Sequence, residues 1–200
     1  MSKPGFYEKI YKIFAGLVRK LYRIEIRGAE NEPQEGSCVV CCNHLANSDV
    51  VILAASLKRQ VHFFAKAELF RIPLLKQLIT ALGAFPVKRG EGDVSAIKKT
   101  ISILQDGKMV GFYPQGTRCP GVHPRETKTK NGIGMIAYRT HATILPVAIT
   151  VKNFRVHMFR KTLVTIGKPI LYEDLHMESP TPDEYKKAAE YVFSRIVEMA

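Results

Sequence analysis

The sequence predicts an α/β fold, a single domain with a mixed, largely parallel sheet flanked by helices and preceded by a basic amphipathic N-terminal helix. Short apolar runs of strand character alternate along the chain with stretches of helical periodicity, a pattern typical of sheets with helices on their faces. The 200 residues can bury one sizeable core, and no change in composition marks a linker. We therefore assign residues 1–23 to the helix and residues 24–200 to one domain.

The stretch 6–23 predicts a helix with two chemically different faces, because its apolar residues recur at spacings of three and four while its basic residues fall on the opposite arc. The apolar residues are Tyr7, Ile10, Ile13, Phe14, Leu17, Val18 and Leu21, and the basic ones are Lys9, Lys12, Arg19, Lys20 and Arg23. This pattern is typical of a helix that lies in a membrane interface. An ordinary surface helix packed on the core explains it equally well.

Strands are predicted where short apolar or alternating runs are bounded by turn residues. They cover residues 22–27, 39–42, 61–66, 85–87, 108–113, 144–151 and 163–167. The run at 39–42 is apolar throughout and predicts a buried strand, whereas 163–167 is predicted as an edge strand.

Helices are predicted between these strands and after the last one. They cover 50–57, 73–82, the segment from Asp93 to the stop at Asp106-Gly107, 132–139 and a final segment that begins at Thr181. Asp93 is an expected N-cap, and Thr181 with Glu184 forms a capping box. The polar stretch 119–130 has no periodicity and is predicted to be a loop.

The composition indicates an acidic partner. Net charge is +12 and the pI is about 9.6, which fits nucleic acid, an anionic lipid surface, a phosphorylated substrate or an acidic carrier protein. Charge alone does not choose among them. A nucleic-acid binder stays an alternative, but no aromatic platform or recognition motif supports it, so we expect no nucleic-acid partner.

Cysteine usage and hydropathy bear on the compartment. Three of the four cysteines, Cys38, Cys41 and Cys42, crowd into one apolar run, which indicates small core residues and a reducing cytosol. A metal site of Cys38, Cys41 and His44 is conceivable from spacing, but no second ligand pair follows, so we expect no metal. No apolar run approaches a membrane span and no signal peptide is visible.

The first candidate for chemistry is the pair His44 and Asp49. Residues five apart on one helix point about 140° away from each other, so these side chains meet only across a bend. We expect that bend because a strand ends before His44 and turn residues precede the next helix. An aspartate that accepts the proton of one ring nitrogen fixes the tautomer and leaves the other nitrogen as a base. The bare spacing also occurs by chance.

Two further polar blocks follow predicted strands, Lys88-Arg89-Gly90 and Gln115-Gly116-Thr117-Arg118. Ligands bind at the carboxyl ends of strands in open parallel sheets, and the planar fork of arginine suits phosphate. A histidine base beside two arginine-bearing turns indicates a phosphorylated substrate with a hydroxyl to deprotonate. Taken singly, the first arginine is equally explained as a solvated helix cap and the glycine-threonine pair as a plain turn.

Four blocks in order resemble the glycerophospholipid acyltransferases, the 1-acylglycerol-3-phosphate acyltransferase family. They are the histidine and aspartate at 44–49, GAFPVKR at 83–89, YPQGTR at 113–118 and LPVAI at 145–149. The segments 63–73 and 127–137 also resemble that family's connecting segments. The resemblance covers about residues 22–150, and four ordered blocks make it specific.

The resemblance implies transfer of a fatty acyl group from a thioester to the sn-2 hydroxyl of lysophosphatidic acid, giving phosphatidic acid. It implies His44 as general base and Asp49 as its orienting partner. The acceptor-binding residues that it implies are Arg89, Gln115, Gly116, Thr117 and Arg118. The donor would be acyl-CoA or acyl carrier protein, with no further cofactor, and the enzyme would lie at the cytoplasmic face of the cell membrane, peripherally, against anionic lipid.

One position departs from the family pattern. The third block usually reads Pro-Glu-Gly-Thr-Arg, and Gln115 here replaces the glutamate. An amide can accept a hydrogen bond but carries no charge and transfers no proton. The alternative is therefore a degenerate member that binds lysolipid at the membrane without turnover.

Overall fold

The computed structural model describes residues 6–81, 83–87 and 94–200. Its helices are α1 (Phe6–Leu21), α2 (Asp49–Ser56), α3 (Pro73–Ala81), α4 (Val94–Gln105), α5 (Gly132–Thr140) and α6 (Pro182–Met199). Its strands are β1 (Ile24–Arg27), β2 (Cys38–Cys42), β3 (Val61–His62), β4 (Phe64–Lys66), β5 (Phe85–Val87), β6 (Met109–Phe112), β7 (Thr143–Val151) and β8 (Thr162–Ile166). The expected cap Asp93 lies outside the described residues.

The main sheet has the strand order β1-β8-β7-β2-β6-β3. β2 runs parallel to both β6 and β7, and β3 runs parallel to β6. β8 is antiparallel to β7 and parallel to β1. The predicted mixed, largely parallel sheet is thereby confirmed. The segment predicted as one strand at 61–66 is instead two strands, because β4 leaves the main sheet and pairs with β5 in a second, two-stranded sheet.

The prediction that 163–167 forms an edge strand is wrong. β8 lies between β1 and β7, and both of its backbone edges are paired. Its side chains alternate between buried and half-buried, which is the pattern that the sequence shows. That alternation reports on the two faces of a strand, but backbone pairing is decided by its neighbours, and here β1 occupies the edge.

The two faces of β2 supply two separate parts of the core. Cys38, Val40 and Cys42 pack in a cluster with α2 residues such as Ile52, whereas Cys41 packs on the other face among residues of α4, α5 and α6. Because side chains alternate across a strand, Cys38 and Cys41 point to opposite faces. The alternative of a metal site made from these two cysteines is therefore wrong.

Helix α1 packs on α2. Ala15 and Val18 are buried against Ala55, and the Arg19 Nε donates to the Ala55 carbonyl oxygen at 2.7 Å. This face of α1 packs on the core, as the face of an ordinary surface helix does. The apolar arc is wider than the covered face, however, because Ile13 is 76% and Leu17 is 65% exposed.

The strand directions bring several connections to one edge of the main sheet. β2, β6 and β7 all end at this edge, which we call the carboxyl edge. Because β8 is antiparallel to β7 and β1 is parallel to β8, these two strands begin there. The end of α1 and the β7–β8 connection therefore share an edge with the residues that follow β2 and β6.

Candidate active site

His44 and Asp49 meet across the turn between β2 and α2, as predicted. The Asp49 Oδ2 lies 2.8 Å from the His44 Nδ1. The carboxylate is fully buried, whereas 17% of the imidazole side chain is exposed. An Nδ1–H donated to this carboxylate leaves a lone pair on Nε2. Within the described part of the chain nothing is hydrogen-bonded to Nε2, so this nitrogen is free to accept a proton.

The Asp49 carboxylate is held by the backbone that precedes it. Its Oδ2 also accepts hydrogen bonds from the backbone N–H groups of Leu45, at 2.5 Å, and Ala46, at 2.8 Å. These charge-assisted bonds fix the carboxylate so that it cannot rotate away from the imidazole. Its second oxygen is buried and has no hydrogen-bond partner among the described residues. A positive charge on His44 would offset part of the cost of burying this carboxylate.

Asn43 explains why the chain turns at the end of β2. Its side chain is buried and makes two bonds to the backbone of Ile149 in β7. The Nδ2 donates to the carbonyl oxygen at 3.0 Å and the Oδ1 accepts from the N–H at 2.8 Å. The side chain thereby takes the place of a ladder contact, and the backbone is free to turn toward His44. The sequence pattern gives no sign of this pairing, because Ile149 lies 106 residues further along the chain.

The ring of Tyr113 stacks on the imidazole of His44. The ring centroids lie 4.0 Å apart at an interplanar angle of 15°, so the tyrosine restricts rotation of the imidazole. Burial raises the pKa of the Tyr113 hydroxyl well above its usual range, and the nearby Cys42 and Asp49 act in the same direction. Tyr113 therefore stays protonated near neutral pH and does not compete with His44 as a base.

Gln115 points into the protein and links His44 to the loop beyond. It is 4% exposed. Its Oε1 accepts from the backbone N–H of His44 at 2.7 Å, and its Nε2 donates to the Thr127 hydroxyl at 2.9 Å. That hydroxyl donates in turn to the Pro124 carbonyl oxygen at 2.7 Å. The prediction of Gln115 as a substrate contact is therefore corrected, because both polar groups of its side chain are used within the protein.

The rest of the block lies at the surface. Gly116, Thr117 and Arg118 are all exposed, and a cleft of about 280 Å³ is lined by Leu45, Thr117, Arg118 and Pro120. Gly116 has a φ of 68°, a conformation that favours glycine. The Arg118 guanidinium makes no hydrogen bond or ion pair with any residue that the structure describes, which leaves it available to an anion.

Lys130 is a second cation at this turn and was not singled out by the sequence. A Cβ at Gly116 would lie 2.8 Å from the Lys130 Cδ and 3.2 Å from its Nζ. The Lys130 backbone N–H donates to the Pro114 carbonyl oxygen at 2.9 Å, which fixes the lysine over the turn. The polar stretch 119–130 shows no periodicity, and only the fold brings its last residue back to the block that precedes it.

Arg89 is the other arginine that the sequence predicts for the site. β5 ends at Val87, and Lys88, Arg89 and Gly90 lie outside the described residues. Its role in the site stays a prediction.

The cysteines do not supply an ionised nucleophile near neutral pH. Burial raises the pKa of Cys38 to about 12, and it raises the pKa values of Cys41 and Cys42 well above their usual range. The backbone of Cys119 contacts that of the base, since its N–H donates to the His44 carbonyl oxygen at 2.8 Å. Burial raises the pKa of its thiol as well. The arrangement therefore favours a histidine that activates a hydroxyl of the substrate.

Comparisons with known proteins identify relatives of this chain. A family model described as "Acyltransferase" matches residues 23–150, a range that includes His44, Asp49 and the block that ends at Arg118. A 1-acyl-sn-glycerol-3-phosphate acyltransferase from Bacillus subtilis is 29% identical over 180 residues, which are 88% of this chain and 87% of that protein. The protein of the same name from Borreliella burgdorferi is 29% identical over 156 residues, 77% of this chain and 60% of that protein.

A solved structure extends the likeness to the fold. The crystal structure of the 1-acyl-sn-glycerophosphate (LPA) acyltransferase PlsC from Thermotoga maritima superimposes with a TM-score of 0.69 at 25% identity. The match covers 96% of this chain and 82% of the PlsC chain. Because the family model matches more than half of the sequence, the chain belongs to the Acyltransferase family.

Proposed function

We propose that the protein transfers a fatty acyl group from an acyl thioester to the sn-2 hydroxyl of 1-acylglycerol-3-phosphate, giving phosphatidic acid. The observation that carries this proposal is the position of His44. His44 follows β2 at the carboxyl edge, and its Nε2 has no hydrogen-bond partner among the described residues. Arg118, which is also unpaired among them, lies in the turn after the neighbouring strand β6. The names of the relatives indicate the same reaction.

The histidine acts as a general base. The His44 Nε2 takes the proton of the acceptor hydroxyl as the hydroxyl oxygen attacks the thioester carbonyl carbon. Asp49, held against Nδ1, stabilises the imidazolium that forms. The tetrahedral intermediate then collapses, the carbon–sulfur bond breaks, and the leaving thiolate takes the proton from Nε2. The acyl group passes directly to the acceptor, and no acyl-enzyme forms.

The acceptor phosphate binds at the turn after β6. Arg118 can donate two parallel hydrogen bonds to phosphate oxygens, and Gly116 and Thr117 are exposed beside it. Lys130 adds a second positive charge to the same turn. Arg89 completes the set by resemblance to the family.

The donor is an acyl-CoA or acyl carrier protein thioester, and no other cofactor is used. Both carriers are acidic, and the net charge of +12 favours their approach. Each would present the thioester to His44 at the carboxyl edge.

We propose a peripheral position at the cytoplasmic face of the cell membrane. Among the helices that the structure describes, none is long and apolar enough to cross a bilayer. The exposed Ile13 and Leu17 of α1 offer an apolar face beside basic residues, which suits a helix at the interface of an anionic membrane.

A panel of donors and acceptors tests the reaction. Purified protein is incubated with acyl-CoA or acyl carrier protein thioesters and with several lysolipids, and products are identified by mass spectrometry. We expect phosphatidic acid from 1-acylglycerol-3-phosphate, dependent on His44. A protein that retains lysophosphatidate but yields no product with any donor would favour the degenerate alternative.

A further inference from the structure

The connection between β7 and β8 presents two neighbouring apolar side chains to solvent. Met158 is 55% exposed and Phe159 is 69% exposed. The same connection is anchored just before them, because Phe154 and Val156 pack against a core cluster. The exposed pair is therefore held outward by a fixed backbone.

A hydrogen bond ties this pair to the end of α1. The Phe159 backbone N–H donates to the Leu21 carbonyl oxygen at 2.7 Å, and Phe159 has a φ of 62°. This conformation is costly for an aromatic residue and persists where surrounding contacts enforce it. Six described non-glycine residues have a positive φ. Besides Phe159, three of them lie just after α1 or in the β7–β8 connection, namely Arg23, Asn153 and Phe154.

The exposed pair continues the uncovered face of α1. Leu17 lies one turn before Leu21, and Ile13 lies one turn before Leu17. Ile13 and Leu17 are both largely exposed, and the bond from Phe159 reaches the carbonyl at the end of this row. The apolar surface thus runs along the helix and onto the β7–β8 connection.

Basic residues flank this surface along the chain, and the last of them, Lys161, is paired with Glu25 at 2.6 Å. The exposed ones are Arg19, Lys20 and Arg23 near the end of α1 and Lys152, Arg155, Arg160 and Lys161 in the connection. The segment 152–161 contains no aspartate or glutamate. An apolar surface bordered by positive charge is complementary to an anionic bilayer, in which acyl chains lie beneath negative headgroups.

The surface is joined to the catalytic turn. The Phe154 carbonyl oxygen accepts from the Gly121 N–H at 2.8 Å, and the Cys119 N–H donates to the His44 carbonyl oxygen at 2.8 Å. The rings of Phe154 and His123 also contact each other, with centroids 4.8 Å apart. A bilayer that contacts Phe159 would therefore face the edge that carries the base.

We propose that the β7–β8 connection is a second membrane-contacting element, whose Met158 and Phe159 insert into an anionic bilayer beside α1. This inference rests on the peripheral membrane association proposed above. Contact by α1 and by the β7–β8 connection together fixes the orientation of the protein on the membrane. One helix lying in the interface would not fix it. The carboxyl edge then faces the lipid in which the acceptor and the product reside.

The sequence contains no tryptophan, so one introduced tryptophan reports on its own surroundings. In Phe159→Trp, vesicles of phosphatidylglycerol and phosphatidylcholine should shift the emission to shorter wavelength, and brominated lipids should quench it. Leu171→Trp is the matched control. Leu171 is 52% exposed, and it follows Ile170, which pairs with Ile144 near the start of β7 and hence at the opposite edge.

A second variant removes the apolar contact. In Phe159→Asn the new residue tolerates positive φ. This variant should lower the partition onto anionic vesicles by roughly tenfold or more. The control Leu171→Asn should leave the partition unchanged. A natural protein that sediments with vesicles while Phe159→Trp shows no shift and Phe159→Asn binds normally would overturn the inference alone. Failure of the natural protein to bind vesicles would overturn it together with the membrane association. Turnover of a water-soluble short-chain lysophosphatidate, measured separately, tests the reaction independently of either.

Discussion

The side-chain oxygen of Gln115 accepts a hydrogen bond from the backbone N–H of His44 across 2.7 Å. This bond joins the turn after β6 to the turn after β2. Gln115, the residue that departs from the family pattern, therefore holds the backbone of the base in place. Its role is to position His44, and a role in proton transfer is not required of it.

Gln115→Glu should therefore change kcat/KM by about tenfold or less, near 1.4 kcal/mol. One carboxylate oxygen can still accept from His44, but the other meets Thr127, whose hydroxyl must leave the Pro124 carbonyl oxygen to donate to it. Gln115→Leu should cost more in kcat, because it leaves a buried N–H unpaired, at about 1–3 kcal/mol. Steady-state kinetics and thermal unfolding measure both.

Gln105 is exposed at the end of α4. Gln105→Glu is therefore the matched control for the added charge and should leave kcat/KM unchanged. An inert natural protein that gains strong activity in Gln115→Glu would show that a carboxylate is chemically required.

His44→Ala should lower kcat by about 10²- to 10⁴-fold, the contribution typical of a positioned base, while acceptor binding survives. Asp49→Asn should lower kcat with little change in KM, because the amide keeps an acceptor for the turn but loses the charge that stabilises the imidazolium. Single-turnover kinetics measure the loss of rate in each variant, and a lysolipid binding assay measures acceptor binding separately. A trapped acyl-protein adduct, or near-normal turnover in His44→Ala, would rule out direct transfer.

Arg118→Ala should raise KM for the acceptor more than it lowers kcat, since each charge-assisted contact to phosphate contributes about 1.5–3 kcal/mol. Lys130→Ala should act in the same direction with a smaller effect, because a lysine does not form the bidentate contact. Arg139→Ala, an exposed arginine on α5, is the matched control. Equal KM values in all three variants would place the phosphate elsewhere.

Ile13→Asn with Leu17→Asn should weaken sedimentation with anionic vesicles and leave the fold intact, because both side chains are largely exposed. This double variant is a sharper test than deletion of residues 1–20. The deletion would uncover Ala55 and remove the bonds that Arg19 and the Tyr11 hydroxyl make to the end of α2 and to Leu57. Circular dichroism checks the fold, and unchanged sedimentation would contradict a membrane role for α1.

Alkaline pH should destabilise the protein through its buried thiols. In the unfolded chain the Cys38 thiol has its ordinary pKa of about 9, whereas burial raises its pKa in the fold to about 12. Stability is therefore fully present below pH 9 and is lost as pH rises toward 12, by up to about 1.4 kcal/mol per pH unit. Urea unfolding at pH 8 and pH 10 should show a smaller loss in Cys38→Ala than in the natural protein, and equal losses would refute this contribution.

The sequence was sufficient for the elements that depend on local pattern and for the pair at the centre of the site. The bend between His44 and Asp49 follows from an apolar run, turn residues and a helix, and the structure confirms their contact. The predicted N-cap is also present, with the Thr181 hydroxyl accepting from the Glu184 N–H at 3.3 Å. The capping box is only half formed, because the Glu184 carboxylate pairs with Lys187 and the Thr181 N–H donates to the Ser179 carbonyl oxygen. Each of these relationships spans only a few residues.

Relationships that depend on other parts of the chain could not be predicted. The inner position of β8 is set by β1, which precedes it by more than a hundred residues. A resemblance between blocks gives the residues of the turn after β6 but not the direction of each side chain, so the inward course of Gln115 toward Thr127 was missed. The width of the apolar arc of α1 was visible, but how much of it α2 covers was not.

The bonds between Asn43 and Ile149 bear on the order in which the active site forms during synthesis. His44 is made early, but the backbone that holds its turn comes from β7, and the parallel pairing of β2 with β7 requires a long chain crossover. A nascent chain that has emerged only as far as α5 therefore lacks a partner for Asn43. The base reaches its final geometry only after about three quarters of the polypeptide has left the ribosome.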